Sequence, residues 1–313
     1  MSEILTIKEA TAEFKSYVGE LKNGYKPGIL TSYDNLNKVL RGGIPKNTVT
    51  LIAAHSGRGK TALALNLALD TPRLNENTAV YIFSLEMPHK DLIARAISRA
   101  SKKTVSDMYD NLDDINFESI DNLQDLDITI DTRTGTANAI GDRINNFMQN
   151  KTDKDVLVVL DHSLLLLANA DRDKTNKLSE ICNHLKLKWK NLSIIVISQL
   201  NDAFLKEDRM KAKGVGMFPG YNDLYEGRQL YQVANTVICL NLPSDYIDEE
   251  LNATKDKLFR KEYGGLPMFN YGMTKQPLIY AHIIKGRDTG TSIVSFVNLL
   301  QFNEFIPVPV QNR

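Results

Sequence analysis

Eight consecutive residues, Ala54, His55, Ser56, Gly57, Arg58, Gly59, Lys60 and Thr61, carry the pattern of a phosphate cradle. They follow the apolar run 49–53 and lead into Ala62, Leu63, Ala64 and Leu65, all helix formers, so the local order is strand, tight loop, helix. Glycines let successive backbone N–H groups turn inward, and the dipole of the helix behind them favours an anion. Lys60 in such a loop reaches the β- and γ-phosphates of a nucleotide, and the Thr61 hydroxyl is a ligand for Mg²⁺. Ala54 stands where the general motif has glycine, but Gly59-Lys60-Thr61 between a buried-type strand and a helix supplies the context the motif demands. ATP and Mg²⁺ are the expected ligands.

Three further strand-like runs end in side chains suited to the same chemistry. The run 155–160 is apolar and closes on Asp161, which at a strand's carboxyl end beside the loop would hold Mg²⁺ through water or through Thr61. The run 81–85 is followed by Glu86, a carboxylate able to orient and deprotonate a water that attacks the γ-phosphate. Taken alone, Glu86 reads equally as an acidic residue favoured by the next helix's dipole. The run 194–198 is followed by Gln199, either a sensor of the γ-phosphate or a glutamine satisfied by backbone.

These residues need a scaffold that brings strand ends together. Apolar, β-branched segments at 49–53, 79–84, 128–131, 156–160 and 194–198 alternate with amphipathic stretches at 61–69, 89–101, 136–150 and 175–190. That alternation predicts an α/β fold with a mostly parallel sheet and helices on both faces, which binds ligands outside the carboxyl ends of its strands. Strands at 236–240, 279–284 and 292–298 follow, after a polar, glycine-bearing stretch 201–227 whose length marks a functional loop. Residues 244–276 are charged and read as an inserted hairpin or lobe. Ahead of the body, Ile7, Ala10, Phe14, Val18 and Leu21 form the stripe of an amphipathic helix that ends near Asn23-Gly24.

The chain of 313 residues is 42% hydrophobic and 24% charged, an ordinary globular composition. Lysine plus arginine equals aspartate plus glutamate at 38 each, so no bulk field draws the protein to nucleic acid or lipid, and contacts of that kind fall to local basic loops. Cys182 and Cys239 have neither disulfide-framework nor metal-ligand spacing and read as core thiols in a reducing compartment. No secretory leader or run of membrane-spanning length is read, and the expected location is cytoplasmic.

Together and in this order the motifs resemble the motor domain of DnaB-family replicative helicases. The likeness rests on a P-loop that begins with alanine (Ala54 to Thr61), on Phe83-Ser84-Leu85-Glu86-Met87 followed by Pro88, and on Ser198-Gln199-Leu200-Asn201. Upstream, Gly28-Ile29-Leu30-Thr31-Ser32-Tyr33 with Leu36 and Gly42-Gly43 is similar to the family's lead-in, and downstream Lys285-Gly286-Arg287 is similar to its Lys-x-Arg hairpin strand. The resemblance implies a RecA-like P-loop NTPase with C-terminal antiparallel strands, assembled as a homo-oligomer, a hexamer in the family, with a linker helix at 1–27 and a motor at 28–313. It implies that Lys60, Glu86 and Gln199 act on ATP, that Thr61 and Asp161 hold Mg²⁺, and that Lys285 and Arg287 reach a neighbouring subunit's γ-phosphate. It further implies that two basic loops, one with Arg172, Lys174 and Lys177 and one with Lys206, Arg209, Lys211 and Lys213, hold single-stranded DNA.

Two departures from the family stand out: no N-terminal helical domain is read upstream of the linker, and 244–276 is longer than the family connection. Ring assembly is therefore expected to rely on the linker or on another protein, and coupling to a loader or primase is left open. Beside the helicase reading stands a second, a RecA-like ATPase that serves as a nucleotide-dependent assembly factor without unwinding. A recombinase-like filament former is disfavoured by the order of the motifs.

Overall fold

The computed structural model describes residues 4–115, 117–161, 171–201, 218–225, 228–246, 257, 260, 265–269 and 276–309. The first element, α1 (Ile7–Lys22), opens on a capping box: the Thr6 backbone N–H donates to the Glu9 carboxylate at 2.8 Å and the Glu9 N–H donates to Thr6 Oγ1 at 3.3 Å. None of its residues is buried. A lead-in follows, with β1 (Gly28–Ile29) paired to β2 (Ile44–Pro45) around α2 (Asp34–Val39).

The body is a nine-stranded sheet among the described residues. In chain order its strands are β3 (Val49–Ala54), β4 (Thr78–Ser84), β5 (Ile128–Asp131), β6 (Asp155–Asp161), β7 (Leu192–Gln199), β8 (Thr236–Asn241), β9 (Leu278–Gly286), β10 (Ser292–Leu299) and β11 (Glu304–Pro307). Their spatial order is β11-β10-β9-β8-β3-β7-β6-β4-β5. The six from β8 to β5 run parallel, and β9, β10 and β11 extend the sheet antiparallel. Strands β3, β4 and β8 are buried along their whole length, as expected of a parallel sheet covered on both faces.

Side-chain alternation along the strands feeds two cores. On one face Ile52, Val80, Val159 and Ile197 meet α3 (Lys60–Leu74) and α4 (His89–Ser101); on the other, Leu51, Tyr81, Val158 and Val196 meet α7 (Ala137–Gln149) and α8 (Asp171–Lys188). α3 passes beneath the sheet with eleven of its residues buried. Asp70 of α3 accepts both guanidinium arms of Arg99 of α4, at 2.8 and 2.7 Å, and the Ser32 hydroxyl, which locks the lead-in onto these helices. Tyr33 of the lead-in stacks edge-on against Phe296 of β10 and accepts a hydrogen bond from Asn66 of α3.

The alternating parallel architecture agrees with the sequence reading, and the differences are local. Residues 102–127, to which the sequence reading assigns no element, contain α5 (Val105–Asp110) and α6 (Phe117–Gln124). Residues 171–177, read as a basic loop, form the first turns of α8. Also unread were β1, β2 and α2 of the lead-in, β11, and α9 (Arg228–Val233), which precedes β8 in the chain. Cys182 and Cys239 are buried core thiols, and burial pushes the Cys182 thiol up to about 12. No helix among the described residues is long and apolar enough to cross a membrane.

Candidate nucleotide site

The carboxyl edge of the parallel strands gathers the sequence-predicted residues. β3 ends at Ala54, which lies opposite Gln199 at the end of β7, and the Leu200 N–H donates to the Ala54 carbonyl at 3.2 Å. On the next pair, Asp161 at the end of β6 lies opposite Ser84 at the end of β4. Leu160 pairs with Val196, so Asp161 is level with Ile197 and Gln199 stands two residues farther out. That stagger puts a buried carboxylate low in the crevice and an amide at its rim.

Between β3 and α3 the loop wraps tightly. The Arg58 N–H donates to the His55 carbonyl at 3.2 Å, and Gly57 and Gly59 adopt left-handed conformations at φ 70° and 82°. Gly59 is doubly constrained: a Cβ there would meet Phe305 Cζ at 2.7 Å and Leu300 Cδ2 at 2.8 Å. The antiparallel end of the sheet thus buttresses the loop from behind. Gly59 also occupies the cap position of α3 and offers no side chain to its first turn, so the backbone N–H groups there face outward for an anion. Ala54 and His55 are buried, Ser56 and Gly57 are exposed, Arg58 is half-buried, and Lys60 is buried at the start of α3.

Thr61, Ser84 and Asp161 line one small pocket between α3, β4 and β6, with Leu65, Ile82 and Val159 as its apolar wall. A hydroxyl and a carboxylate in the same pocket suit a hard divalent cation, which takes oxygen ligands and leaves the rest of its shell to water and phosphate. Among the described residues no group of three His, Cys, Asp or Glu side chains offers an all-protein metal cage. The pocket therefore fits an ion brought with phosphate rather than a resident structural metal. Ser84 is the member that the sequence reading treated only as part of a motif; its hydroxyl donates to the Met87 carbonyl at 2.7 Å and shapes the turn that carries Glu86. Glu86 is exposed one residue past Leu85, whose N–H is fixed to the Asp161 carbonyl at 2.7 Å.

Lys285 and Arg287 lie elsewhere. β9 runs antiparallel to β8, with Gly286 opposite Thr236, and the Arg287 N–H donates to the Asn235 carbonyl at 3.0 Å. Asn235 in turn donates to the carbonyl of Val49, the first residue of β3. Both cations therefore stand at the amino edge, a full strand away from the chain's own P-loop, about 17 Å at about 3.3 Å per residue. Arg287 is exposed. The Lys285 ammonium donates to the carbonyls of Tyr231 and Gln232, and burial, with Arg287 and Lys186 nearby, holds its pKa below the ordinary lysine value.

Of the basic residues read as DNA contacts, Lys177 lies on α8 and pairs with Glu180 at 3.3 Å. Arg172 and Lys174 occupy the first turn of α8, and their side chains fall outside the described residues, as do Lys206, Arg209, Lys211 and Lys213. Most of 244–276, the expected hairpin or lobe, also falls outside them; a bridge pairs Phe269 with Pro277.

The chain is similar in sequence and in fold to known proteins. The chain is 28% identical over 238 residues to the replicative DNA helicase DnaB of Buchnera aphidicola subsp. Acyrthosiphon pisum, an alignment that covers 73% of this chain and 49% of that one. It spans about half the length of the curated relatives it matches. Among solved structures, one isolated ATPase domain superposes with a TM-score of 0.76 at 23% identity, covering 98% of this chain and 100% of that one. A DnaB-like replicative helicase studied with primase superposes with a TM-score of 0.74 at 23% identity, covering 97% of this chain and 69% of that one. These two likenesses establish the RecA-like fold. The family model of the DnaB-like helicase C-terminal domain matches residues 28–305, nearly the whole chain, and the chain belongs to that family.

Proposed function

We propose that this chain is the ATP-hydrolysing motor of a ring-shaped replicative DNA helicase, a homo-hexamer in which each nucleotide sits between two copies. The observation that carries the reading is a division: the P-loop, Thr61 and Asp161 lie at one edge of the sheet, and exposed Arg287 lies at the other. A cation about 17 Å from its own P-loop does not reach that nucleotide, which supports the reading that it serves the nucleotide of another copy.

In this mechanism the loop from Ala54 to Thr61 binds the phosphates of ATP through backbone N–H groups, and Lys60 neutralises the β- and γ-oxygens. Thr61 and Asp161 would hold Mg²⁺, which would supply Lewis-acid stabilisation of the phosphate charge. Glu86 orients the attacking water and takes its proton. Gln199 at the rim senses the γ-phosphate and passes its presence to the segment after β7. Arg287 from the adjacent copy stabilises charge in the transition state, with Lys285 on the same strand. The first turn of α8 and the segment 202–217 supply contacts to single-stranded DNA, α1 docks on a neighbouring copy, and a loader or primase is a further partner class.

The decisive experiment is forked-duplex unwinding with ATP, run alongside ATPase assays with and without single-stranded DNA. Wild type is expected to unwind and to be stimulated by DNA, whereas Lys60→Ala and Glu86→Gln lose both activities while keeping the wild-type melting temperature. Slow turnover indifferent to DNA, with partner binding that depends on nucleotide, would instead mark an assembly switch.

A further inference from the structure

Between β4 and α4 the chain reads Ser84-Leu85-Glu86-Met87-Pro88, a turn that closes on a residue with no N–H to give. α4 opens on that Pro88, at φ −59° and ψ 151°, with no side-chain cap. The helical ladder starts at the Pro88 carbonyl, which accepts the Asp91 and Leu92 N–H groups at 3.1 and 3.4 Å. One residue earlier, the Met87 carbonyl accepts the Ser84 hydroxyl at 2.7 Å. A side chain thus supplies, across three residues, the bond with which a turn ordinarily closes through its backbone. Ser84 is 2% exposed, so water does not readily replace its hydroxyl there.

The residues on either side of Glu86 are drawn to opposite faces of the sheet. Leu85 packs against the core shared with α7 and α8, and Met87 packs against the core shared with α3 and α4. Leu85 is also held through its backbone, its N–H donating to the Asp161 carbonyl at 2.7 Å, one step beyond the pairing of Ser84 with Asp161. Glu86 stands exposed between these two anchored neighbours. The Ser84 hydroxyl joins the two sides of the turn, from the last residue of β4 to the residue after Glu86.

We infer that Ser84 is a positioning residue for hydrolysis: its hydroxyl closes the turn that carries Glu86 and so fixes that carboxylate relative to Asp161 across the β4 and β6 pair. The inference rests on the reading that Glu86 orients the attacking water. A carboxylate does that work only within hydrogen-bond reach of the water, and a displacement of about 1 Å in a reacting group costs about a hundredfold in rate. Ser84 also lines the pocket of Thr61 and Asp161, so an oxygen lent to the metal's shell is the competing role. The two roles separate in experiment. A clamp on the turn acts through Glu86 and leaves metal affinity alone, whereas a contact to the metal's shell acts without Glu86 and changes that affinity.

Two measurements on the assembled full chain with single-stranded DNA test this: ATPase kinetics, and the Mg²⁺ concentration for half-maximal binding of a fluorescent ATP analogue. Ser84→Ala is expected to lower kcat about tenfold, less than the 10²- to 10⁴-fold that a general base contributes because the carboxylate is still present, with KM for ATP unchanged. Its Mg²⁺ half-point should equal that of wild type. In single-turnover hydrolysis the double variant Ser84→Ala/Glu86→Gln is expected to be no slower than Glu86→Gln alone, because both changes act on one water. Ser84→Cys keeps the volume but donates only weakly, and it carries the same expectations if Ser84→Ala melts early. A wild-type kcat in both Ser84 variants, a raised Mg²⁺ half-point, or defects that multiply in the double variant would each overturn the inference. Glu86→Gln alone is the separate control: if it leaves kcat unchanged, the reading of Glu86 fails on its own account.

Discussion

The two edges of the sheet hold their cations in opposite ways. At the carboxyl edge Lys60 is 8% exposed, sits at the first residue of a helix with eleven buried positions, and follows a glycine pressed against Leu300 and Phe305. At the amino edge Arg287 is exposed, and its backbone N–H is held by the Asn235 carbonyl. On the proposed reading, one edge is preorganised around an anion that it binds alone, and the other offers a charge that becomes useful when a second molecule supplies the geometry. Preorganised donors cost little reorganisation during reaction, whereas a group given to a partner must be adjustable enough to find it.

The strongest way to break this comparison is to disable each edge in a different population. Lys60→Ala and Arg287→Ala should each lose about 10³-fold in turnover, the scale of an arginine supplied in trans. If the edges belong to one composite site, mixing the two inactive variants restores turnover above that of either alone, because some boundaries pair an intact Lys60 with an intact Arg287. Mixtures as inactive as their components would return both cations to one copy.

Next in size is the rigidity of the carboxyl edge, which two glycines separate into its causes. Gly59→Ala combines left-handed backbone strain with a clash against Phe305 and Leu300, and is expected to cost about 3 kcal/mol in urea unfolding. Gly57→Ala carries the strain alone in open space and should cost about 1 kcal/mol. Equal losses would mean that the buttress from β11 contributes nothing.

How much of this was legible in the sequence divides along the same line. The carboxyl edge was readable because its logic is local: a strand, a glycine loop and a helix are contiguous, and Asp161 and Gln199 each close an apolar run that marks them as strand ends. The amino edge was readable only as a resemblance. Lys285 and Arg287 showed as two basic residues on one strand, but the contacts of Lys285 depend on a bulge at Ile284 and on the six-residue α9, too short to carry a helical period. The run from Asp171 to Lys177 reads as a loop because its charges hide the apolar stripe that begins only at Leu178. The packing of Leu300 and Phe305 against Gly59 joins segments some 240 residues apart, and no local pattern announces it.

An effect of comparable size, confined to acid, distinguishes the two halves of the sheet by pH. Asp131, at the carboxyl end of β5, accepts from Tyr81, Arg133 and Arg143 at 2.7 to 3.0 Å, and these donors, Arg133 foremost, hold its pKa below the carboxylate range. Its contribution is full above the unfolded value near 3.9 and is lost as pH falls below it, so Asp131→Asn should cost about 3 kcal/mol at neutral pH and progressively less in acid. His282, buried on β9 against Phe218, is pushed down to about 3 by desolvation. The unfolded chain takes up that proton first, so wild type should lose about 1.4 kcal/mol per pH unit from about pH 6.5 down toward 3, and His282→Leu should lack that slope. Urea melts across this range separate the windows; a His282→Leu curve parallel to wild type would mean that water reaches the ring.

The smallest effect belongs to α1, which makes the contrast with α3 sharpest. The two helices are of nearly equal length, sixteen and fifteen residues, yet α3 buries eleven of them and α1 buries none. Ile7 and Phe14 are 85% and 64% exposed, a stripe left uncovered among the described residues and suited to a surface on another copy. Thr6→Ala removes the capping box, worth about 1 kcal/mol to the helix, but helix fraying is not global unfolding, and the urea midpoint of the isolated chain should not move. The loss should appear instead as weaker self-association in sedimentation, because an oligomer that docks α1 must first order its first turn. A midpoint shift comparable with that of Gly57→Ala would place α1 among the chain's own packed elements, and the hydrophobic stripe would then have its partner within one copy.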